Sequence, residues 1–331
     1  MRVVIDAAIP YIKGCLEPYS EVIYLPANEI TADIVRCADA LIIRTRTQCN
    51  KSLLEGSAVK FIATATIGTD HIDHDYCAAH NIKVCSAPGC NARGVLQWVA
   101  ATLRHITISD KRTPESYTLG VVGVGNVGSL VSKYAHHWGF KVLECDPPRQ
   151  AREGGDFYTI EEIAKRCDII TLHTPLDCTT RHLIDNAIID IIRHNAIIIN
   201  ASRGEVVNNS AVANSNHRYI FDVWESEPNI AQEVLQRATL ATPHIAGYSV
   251  QGKANATSMV VNALAHHFGL PLTEWYPESV ERTTPRLISW SELCETISKY
   301  CDIEKESLSL KNSPQNFELM RNNYNYREEY F

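Results

Sequence analysis

Residues 117–146 read "YTLGVVGVGNVGSLVSKYAHHWGFKVLECD", with Gly123, Gly125 and Gly128 in the spacing G-x-G-x-x-G. That spacing alone is common in turns, but its surroundings here are not. An apolar, β-branched run precedes the glycines, a helix-forming run follows the third, and a second strand-forming run ends in Asp146. A strand–turn–helix–strand unit of this kind aims a helix N-terminus, with its free N–H groups and positive dipole end, at the edge of a parallel sheet. That is a place for a pyrophosphate. Gly123 would permit the tight turn, Gly125 the approach of the pyrophosphate to the backbone, and Gly128 the close packing of helix on strand. Asp146, 18 residues past Gly128, stands where a carboxylate accepts hydrogen bonds from both ribose hydroxyls and repels a 2′-phosphate. The expected cofactor is NAD, with Arg149 near enough to soften the preference over NADP.

The same alternation runs through most of the chain. "RVVID", "EVIYL", "ALIIRT", "KFIATAT" and "IKVCSA" form a first series, and "YTLGVVGVG", "KVLECD", "DIITLHTP", "AIIINAS", "YIFDVW" and "TLATPHI" a second. Near-continuous apolar strands separated by helical stretches predict parallel sheets buried on both faces. Two such series predict an α/β chain of two doubly wound lobes, as do its 331 residues, too many for most single cores. "NARGVLQWVAATLRHITISD" reads as a helix joining them, with Asn91 placed to cap it. "QGKANATSMVVNALAHHF", ended by Gly269 and Pro271, reads as a second helix that returns the chain to the first lobe. The expected domains are 1–92 with 251–270, then 93–250, then a linker and short tail over 271–331. The tail "NFELMRNNYNYREEYF" is too short to fold alone. It is expected to dock on something, a second subunit being one choice.

Composition excludes several classes. A formal charge of −7 offers no surplus of Lys and Arg for non-specific nucleic-acid binding. The 11 cysteines include no C-x-x-C pair, which points to free thiols in a reducing cytoplasm. No signal-peptide pattern opens the sequence and no run reaches membrane-spanning length.

Three stretches at strand ends of the second series carry chemistry: "NASRGEVV" with Arg203, "FDVWESEP" with Asp222 and Glu227, and "TPHIAGY" with His244. Taken singly, each has a duller reading: a surface ion pair, a solvated turn, a hydrogen-bonded core histidine. Their shared position, where open parallel sheets hold ligands, downstream of a dinucleotide loop, changes the balance. A guanidinium, a carboxylate and an imidazole together are the parts needed to oxidise a small hydroxy acid.

"GVVGVGNVG", "ASRGEVV", "DVWESEP" and "TPHIAGY" resemble the signature blocks of the D-2-hydroxyacid dehydrogenases, over residues 1 to about 270. "FIATATIGTDHID", "APGCNA", "ECDPPR" and "HIAGYSVQGKA" resemble a branch of that family acting on a phosphorylated hydroxy acid. The resemblance implies a Rossmann NAD-binding domain, a flavodoxin-like substrate domain and a homodimer. It also implies Arg203 on the substrate carboxylate, His244 as general base and Glu227 on the other imidazole nitrogen. Asn126, Val127, Thr174, Ala201, Ser202, Asp222 and Gly247 match cofactor-contacting positions, and Thr45, Thr66 and Tyr248 match substrate positions. For the phosphate, the charges themselves add Arg44, Arg46 and Lys253, each of which also reads as a solvated cation. The cluster of His71, Asp73, His74 and His80 follows no compact metal spacing, and no metal is expected. Two alternatives use the same features: another member, such as a phosphoglycerate dehydrogenase, or a non-catalytic NAD-responsive binding protein of the same fold.

Overall fold

The computed structural model describes residues 1–331 and divides them into two units. The first comprises Met1–Asn91 and Val250–Arg282, the second Ala92–Ser249 and Thr283–Phe331. In the first unit β1 (Arg2–Asp6), β2 (Glu21–Leu25), β3 (Ala40–Ile43), β4 (Phe61–Thr64) and β5 (Lys83–Cys85) form a parallel sheet in the order β2-β1-β3-β4-β5. In the second, β6 (Thr118–Val122), β7 (Lys141–Cys145), β8 (Ile169–Leu172), β9 (Ile197–Asn200), β10 (Arg218–Phe221) and β11 (Ala238–Ala241) take the order β11-β10-β9-β8-β6-β7. These strands too are all parallel. Every run read as a strand is one.

Burial follows position in each sheet. All residues of β3, β4, β8 and β9 are buried, whereas the edge strands β2, β5 and β7 keep exposed or half-buried positions. Interior strands covered by helices on both faces have no polar side to show, which is why these runs carry no alternation. In the second sheet the chain passes from β6 to β7 on one side, then to β8 on the other. The crevice at this reversal is where an open parallel sheet takes its ligand.

Helix Ala92–Asp110 buries Leu96, Val99, Leu103 and Ile106 against Leu119 and Val121 of β6 and Ile169 and Ile197 of the neighbouring strands. Helix Val250–Phe268 belongs to the first unit, where Val260, Val261 and Leu264 pack with Ile5, Ile42 and Phe61. It stops at Gly269, whose φ of +71° suits a residue without Cβ.

The C-terminal boundary differs from the expected one. Residues through Arg282 stay with the first unit, and Thr283–Phe331 is part of the second. Helices Trp290–Tyr300, Ile303–Asn312 and Phe317–Asn322 follow in this segment. Ile288, Leu293, Ile297 and the fully buried Phe331 join the same core as helix Ala92–Asp110. Phe331 sits among Tyr134, Trp138 and Tyr330, and Trp138 donates its indole N–H to the Ile288 carbonyl at 3.0 Å. The tail therefore docks on the second unit, because its apolar side chains complete a core that lacks them. All 11 cysteines are free, and no helix is long and apolar enough to cross a membrane.

Candidate active site

The glycine loop follows β6. Gly123 has φ +83°, and a Cβ there would lie 2.7 Å from the His173 carbonyl oxygen. A Cβ on Gly128 would lie 1.9 Å from the Gly123 carbonyl oxygen, whereas one on Gly125 would meet nothing within 4 Å. So Gly123 and Gly128 are demanded by the protein's own backbone, and the space over Gly125 is left for something else. Gly125 is also the N-cap of helix Asn126–His137 and offers no side chain to it. The first-turn N–H groups around the exposed Asn126 and half-buried Val127 are thus available to an anion. Beside the loop, Thr174 follows β8 with its hydroxyl oxygen buried and unpartnered. An open cradle over Gly125 and an orphaned hydroxyl at its side fit a dinucleotide, whose pyrophosphate would rest on Asn126 and Val127.

Asp146 follows β7 directly, and it has work within the protein. Its carboxylate accepts from the Val124 N–H at 2.7 Å and, as N-cap of helix Pro147–Glu153, from the Arg149 N–H at 2.9 Å. Each oxygen keeps a second lone pair for a ribose hydroxyl. The run "DPPR", proline at the first helical position after an aspartate, signals this cap in the sequence. Arg149 is engaged by Glu153 at 2.7 Å and by the Val124 carbonyl at 3.1 Å, so its charge is already partly answered.

After β9, Asn200 is buried and folds the chain back on itself. Its Oδ1 accepts from the Ser202 N–H (3.0 Å) and hydroxyl (2.8 Å), and its Nδ2 donates to the Arg203 carbonyl (2.8 Å). Ser202 is thereby buried and Ala201 half-buried, while Arg203, donating to the Ser202 carbonyl at 2.8 Å, stays half-exposed. Gly204 is required because a Cβ would lie 2.0 Å from the Trp224 carbonyl carbon. The loops after β9 and β10 pass backbone to backbone there.

After β10, the carboxylate of Asp222, 1% exposed, is filled by the Thr242 hydroxyl (2.6 Å) and the N–H groups of Ile245 (2.8 Å) and Ala246 (2.9 Å). Burial pushes its pKa up, and the His244 charge and these donors oppose that. The His244 N–H in turn donates to the Asp222 carbonyl at 2.7 Å. Asp222, matched above to a cofactor position, builds the loop that presents His244. That loop holds His244 at φ +57°, a region costly for a side-chain-bearing residue.

The imidazole Nδ1 of His244 lies 2.7 Å from Glu227 Oε2, and Glu227 Oε1 accepts from the Trp224 N–H at 2.9 Å. Burial works against ionising Glu227, but the charge and hydrogen bond of His244, the Trp224 N–H and the charge of Arg321 outweigh it. Its carboxyl is held below the ordinary range. An ionised Glu227 accepts only, so Nδ1 carries a proton and Nε2 is left as the basic nitrogen. Arg203, Glu227 and His244 thus stand on three successive strand ends of one sheet, together with the glycine loop.

The remaining residues divide between the units. In the first, Thr66 bonds Thr64 at 2.6 Å, and Thr64 lies 3.1 Å from His71 Nε2. Thr45 and Arg46 are exposed in the turn after β3, and Lys253 lies in the first turn of helix Val250–Phe268. Arg44 donates twice to the fully buried Asp6, at 2.9 and 3.2 Å, so its charge is committed within the protein. The other members of the histidine cluster have local roles: Asp73 caps helix His74–Ala79, His74 bonds Thr69, and His80 stacks on Tyr76. In the second unit Gly247 and Tyr248 follow the His244 loop. The Tyr248 ring meets those of Tyr324 and Tyr326, and its hydroxyl lies 3.5 Å from the Arg321 guanidinium.

Sequence reasoning missed Asn200, Thr242, Arg321 and Arg327. Asn200 immediately precedes one signature block and Thr242 opens another, and both act only through buried hydrogen bonds. The two arginines come from the tail, far from the site in sequence, and carry no local signal.

Residues 97–246 match the family model described as D-isomer specific 2-hydroxyacid dehydrogenase, NAD binding domain. The chain is 43% identical over 340 residues to the erythronate-4-phosphate dehydrogenase of Bacteroides thetaiotaomicron, covering 99% of this chain and 97% of that one. It is 36% identical over 351 residues to the enzyme of the same name from Pectobacterium carotovorum, covering 100% and 92%. Among solved structures, the NAD+-bound 3-phosphoglycerate dehydrogenase of Entamoeba histolytica superposes with a TM-score of 0.69 at 26% identity. It covers 81% of this chain and 95% of that one. The chain is an NAD-dependent oxidoreductase, and it belongs to the erythronate-4-phosphate dehydrogenases within the D-isomer specific 2-hydroxyacid dehydrogenase family.

Proposed function

We propose that the protein oxidises the 2-hydroxyl of 4-phospho-D-erythronate, giving (R)-3-hydroxy-2-oxo-4-phosphooxybutanoate for vitamin B6 biosynthesis. The observation that carries the chemistry is the His244–Glu227 pair, 2.7 Å apart at the ligand end of the NAD-binding sheet. The name shared by relatives along nearly the whole chain supports the substrate. NAD, when bound, supplies the hydride acceptor. Its pyrophosphate would lie on Asn126, Val127 and the glycines, and its ribose on Asp146. Thr174, Ala201, Ser202, Asp222 and Gly247 would line the rest of it.

His244 Nε2 takes the hydroxyl proton, and Glu227 fixes the tautomer that leaves this nitrogen basic and stabilises the imidazolium that forms. Arg203 holds the substrate carboxylate with its planar, permanently charged fork and polarises the oxygen on the reacting carbon. Thr45, Thr66 and Tyr248 would hold the substrate, and Arg44, Arg46 and Lys253 are the cations assigned to its phosphate. Arg44, already paired with Asp6, is the weakest of these three. The same reading carries a cytoplasmic homodimer, supported by the free thiols and by Leu287, Leu308 and Leu319, which the tail leaves exposed. Light scattering in solution measures its mass.

The test is a ranking of kcat/KM across 4-phosphoerythronate, 3-phosphoglycerate and unphosphorylated D-2-hydroxy acids, followed by NADH formation. The first substrate should lead by about tenfold or more, which corresponds to ~1.4 kcal/mol of transition-state binding. A lead by an unphosphorylated acid would assign the chain a different reaction.

A further inference from the structure

The tail does more than close a core. Helix Phe317–Asn322 brings Arg321 beside Glu227, with the guanidinium Nη1 4.0 Å from Oε2, the oxygen bonded to His244. Three groups fix the guanidinium: Glu318 at 3.1 Å, the Tyr248 hydroxyl at 3.5 Å, and the Phe317 ring beneath it at 5.8 Å. Further along, the buried Arg327 clamps the His244 loop itself. It donates to the carbonyls of Ile245 (3.0 Å), Ala246 and, from helix Ala92–Asp110, Gly94 (2.8 Å). Glu329 then accepts from Ser249 at 2.7 Å. The segment holding Arg321 is thus anchored to the loop holding His244.

We propose that Arg321 is a positioning residue for the oxidation, a tail cation that holds the Glu227 carboxylate turned toward His244 and offsets part of its charge at the imidazole. This rests on His244 serving as the base. A carboxylate beside an imidazole favours the imidazolium, which is useless as a base. A cation beside that carboxylate oxygen offsets part of its field at the imidazole while holding the carboxylate charged and correctly turned. The charged and titratable groups facing the pair are few. Glu227 and His244 face one another, Asp222 lies buried behind His244 with the Arg327 charge, Tyr324 and Cys301 beyond it, and Arg321 faces Glu227. Glu318 and Tyr248 flank Arg321.

The test is the titration of the His244 ring, followed by nitrogen NMR on the full chain without substrate, in the parent, Arg321→Gln and Arg321→Lys. Loss of the cation should raise the His244 midpoint by about half a pH unit or more, and lysine should keep it near the parent value. The acid limb of kcat/KM should move the same way. If Arg321→Gln does not fold, Glu318→Gln perturbs the same group in the opposite sense, freeing the Arg321 charge and lowering the midpoint. An unmoved midpoint in Arg321→Gln, an unmoved one in Glu318→Gln, or a lysine variant shifted as far as the glutamine one would overturn the proposal. Because the titration needs no substrate, it decides on Arg321 even if 4-phosphoerythronate is not oxidised.

Discussion

At the scale of single residues, the pair of carboxylates around His244 divides two tasks by environment. Asp222 is sealed and hydrogen-bonded on both oxygens, so it shapes the loop; Glu227 faces the imidazole and sets its tautomer. Replacing Glu227 by Gln should cut kcat by about a hundredfold or more, with NAD affinity kept. A loss below fivefold would show that the ring is oriented by something else. The two carboxylates also act oppositely on stability. Glu227, with its pKa lowered in the fold, contributes above the ordinary carboxylate range, and that contribution is lost as pH falls through the folded value. Asp222, raised by burial, has the reverse sign and weakens the fold as pH rises through its folded value. Thermal unfolding against pH should therefore show a shallower acid decline for Glu227→Gln than for the parent. Arg203, Glu227 and His244 stand out in the sequence as candidates because their residue types and flanking blocks are distinctive. Asn200 and Thr242 could not, since a buried hydrogen bond leaves no mark on composition.

At the scale of elements, the glycine loop separates fold from function within a few residues. A Cβ on Gly128 meets backbone 1.9 Å away, which cannot yield, whereas one on Gly125 meets no protein atom within 4 Å. Gly128→Ala should then cost about 1–3 kcal/mol or more of stability and disturb the NAD site. Gly125→Ala should leave the melting temperature near that of the parent while NAD affinity falls about tenfold or more. Calorimetry and NAD titration of the two variants check this. Equal losses of stability would mean that the space over Gly125 serves the fold. The strand–turn–helix–strand unit was legible from its periodicity, and the tight turn at Gly123 and close packing at Gly128 from their spacing. The second duty of Asp146 was legible in principle, through the proline that follows it.

At the scale of the whole molecule, two parallel sheets were legible because interior strands buried on both faces leave long apolar runs. The partition of the last residues was not. A polar, aromatic segment shows no period, and what it docks on depends on apolar surface that the rest of the chain leaves uncovered. Phe331, fully buried among Tyr134, Trp138 and Tyr330, makes this concrete. Phe331→Ala should cost about 3–5 kcal/mol by the loss of buried area and the cavity left behind. Chemical denaturation measures it, and a loss under about 1 kcal/mol would mean that the tail is only loosely held. The central claim concerns what the NAD-binding unit does with its His244–Glu227 pair. It is tested most directly by NADH formation on 4-phosphoerythronate in the parent and in His244→Ala, with NAD affinity measured in both. The account predicts steady turnover in the parent, a fall of about a hundredfold or more in the variant, and the same NAD affinity. No turnover in the parent with NAD bound, or a variant that turns over as the parent does, would contradict it.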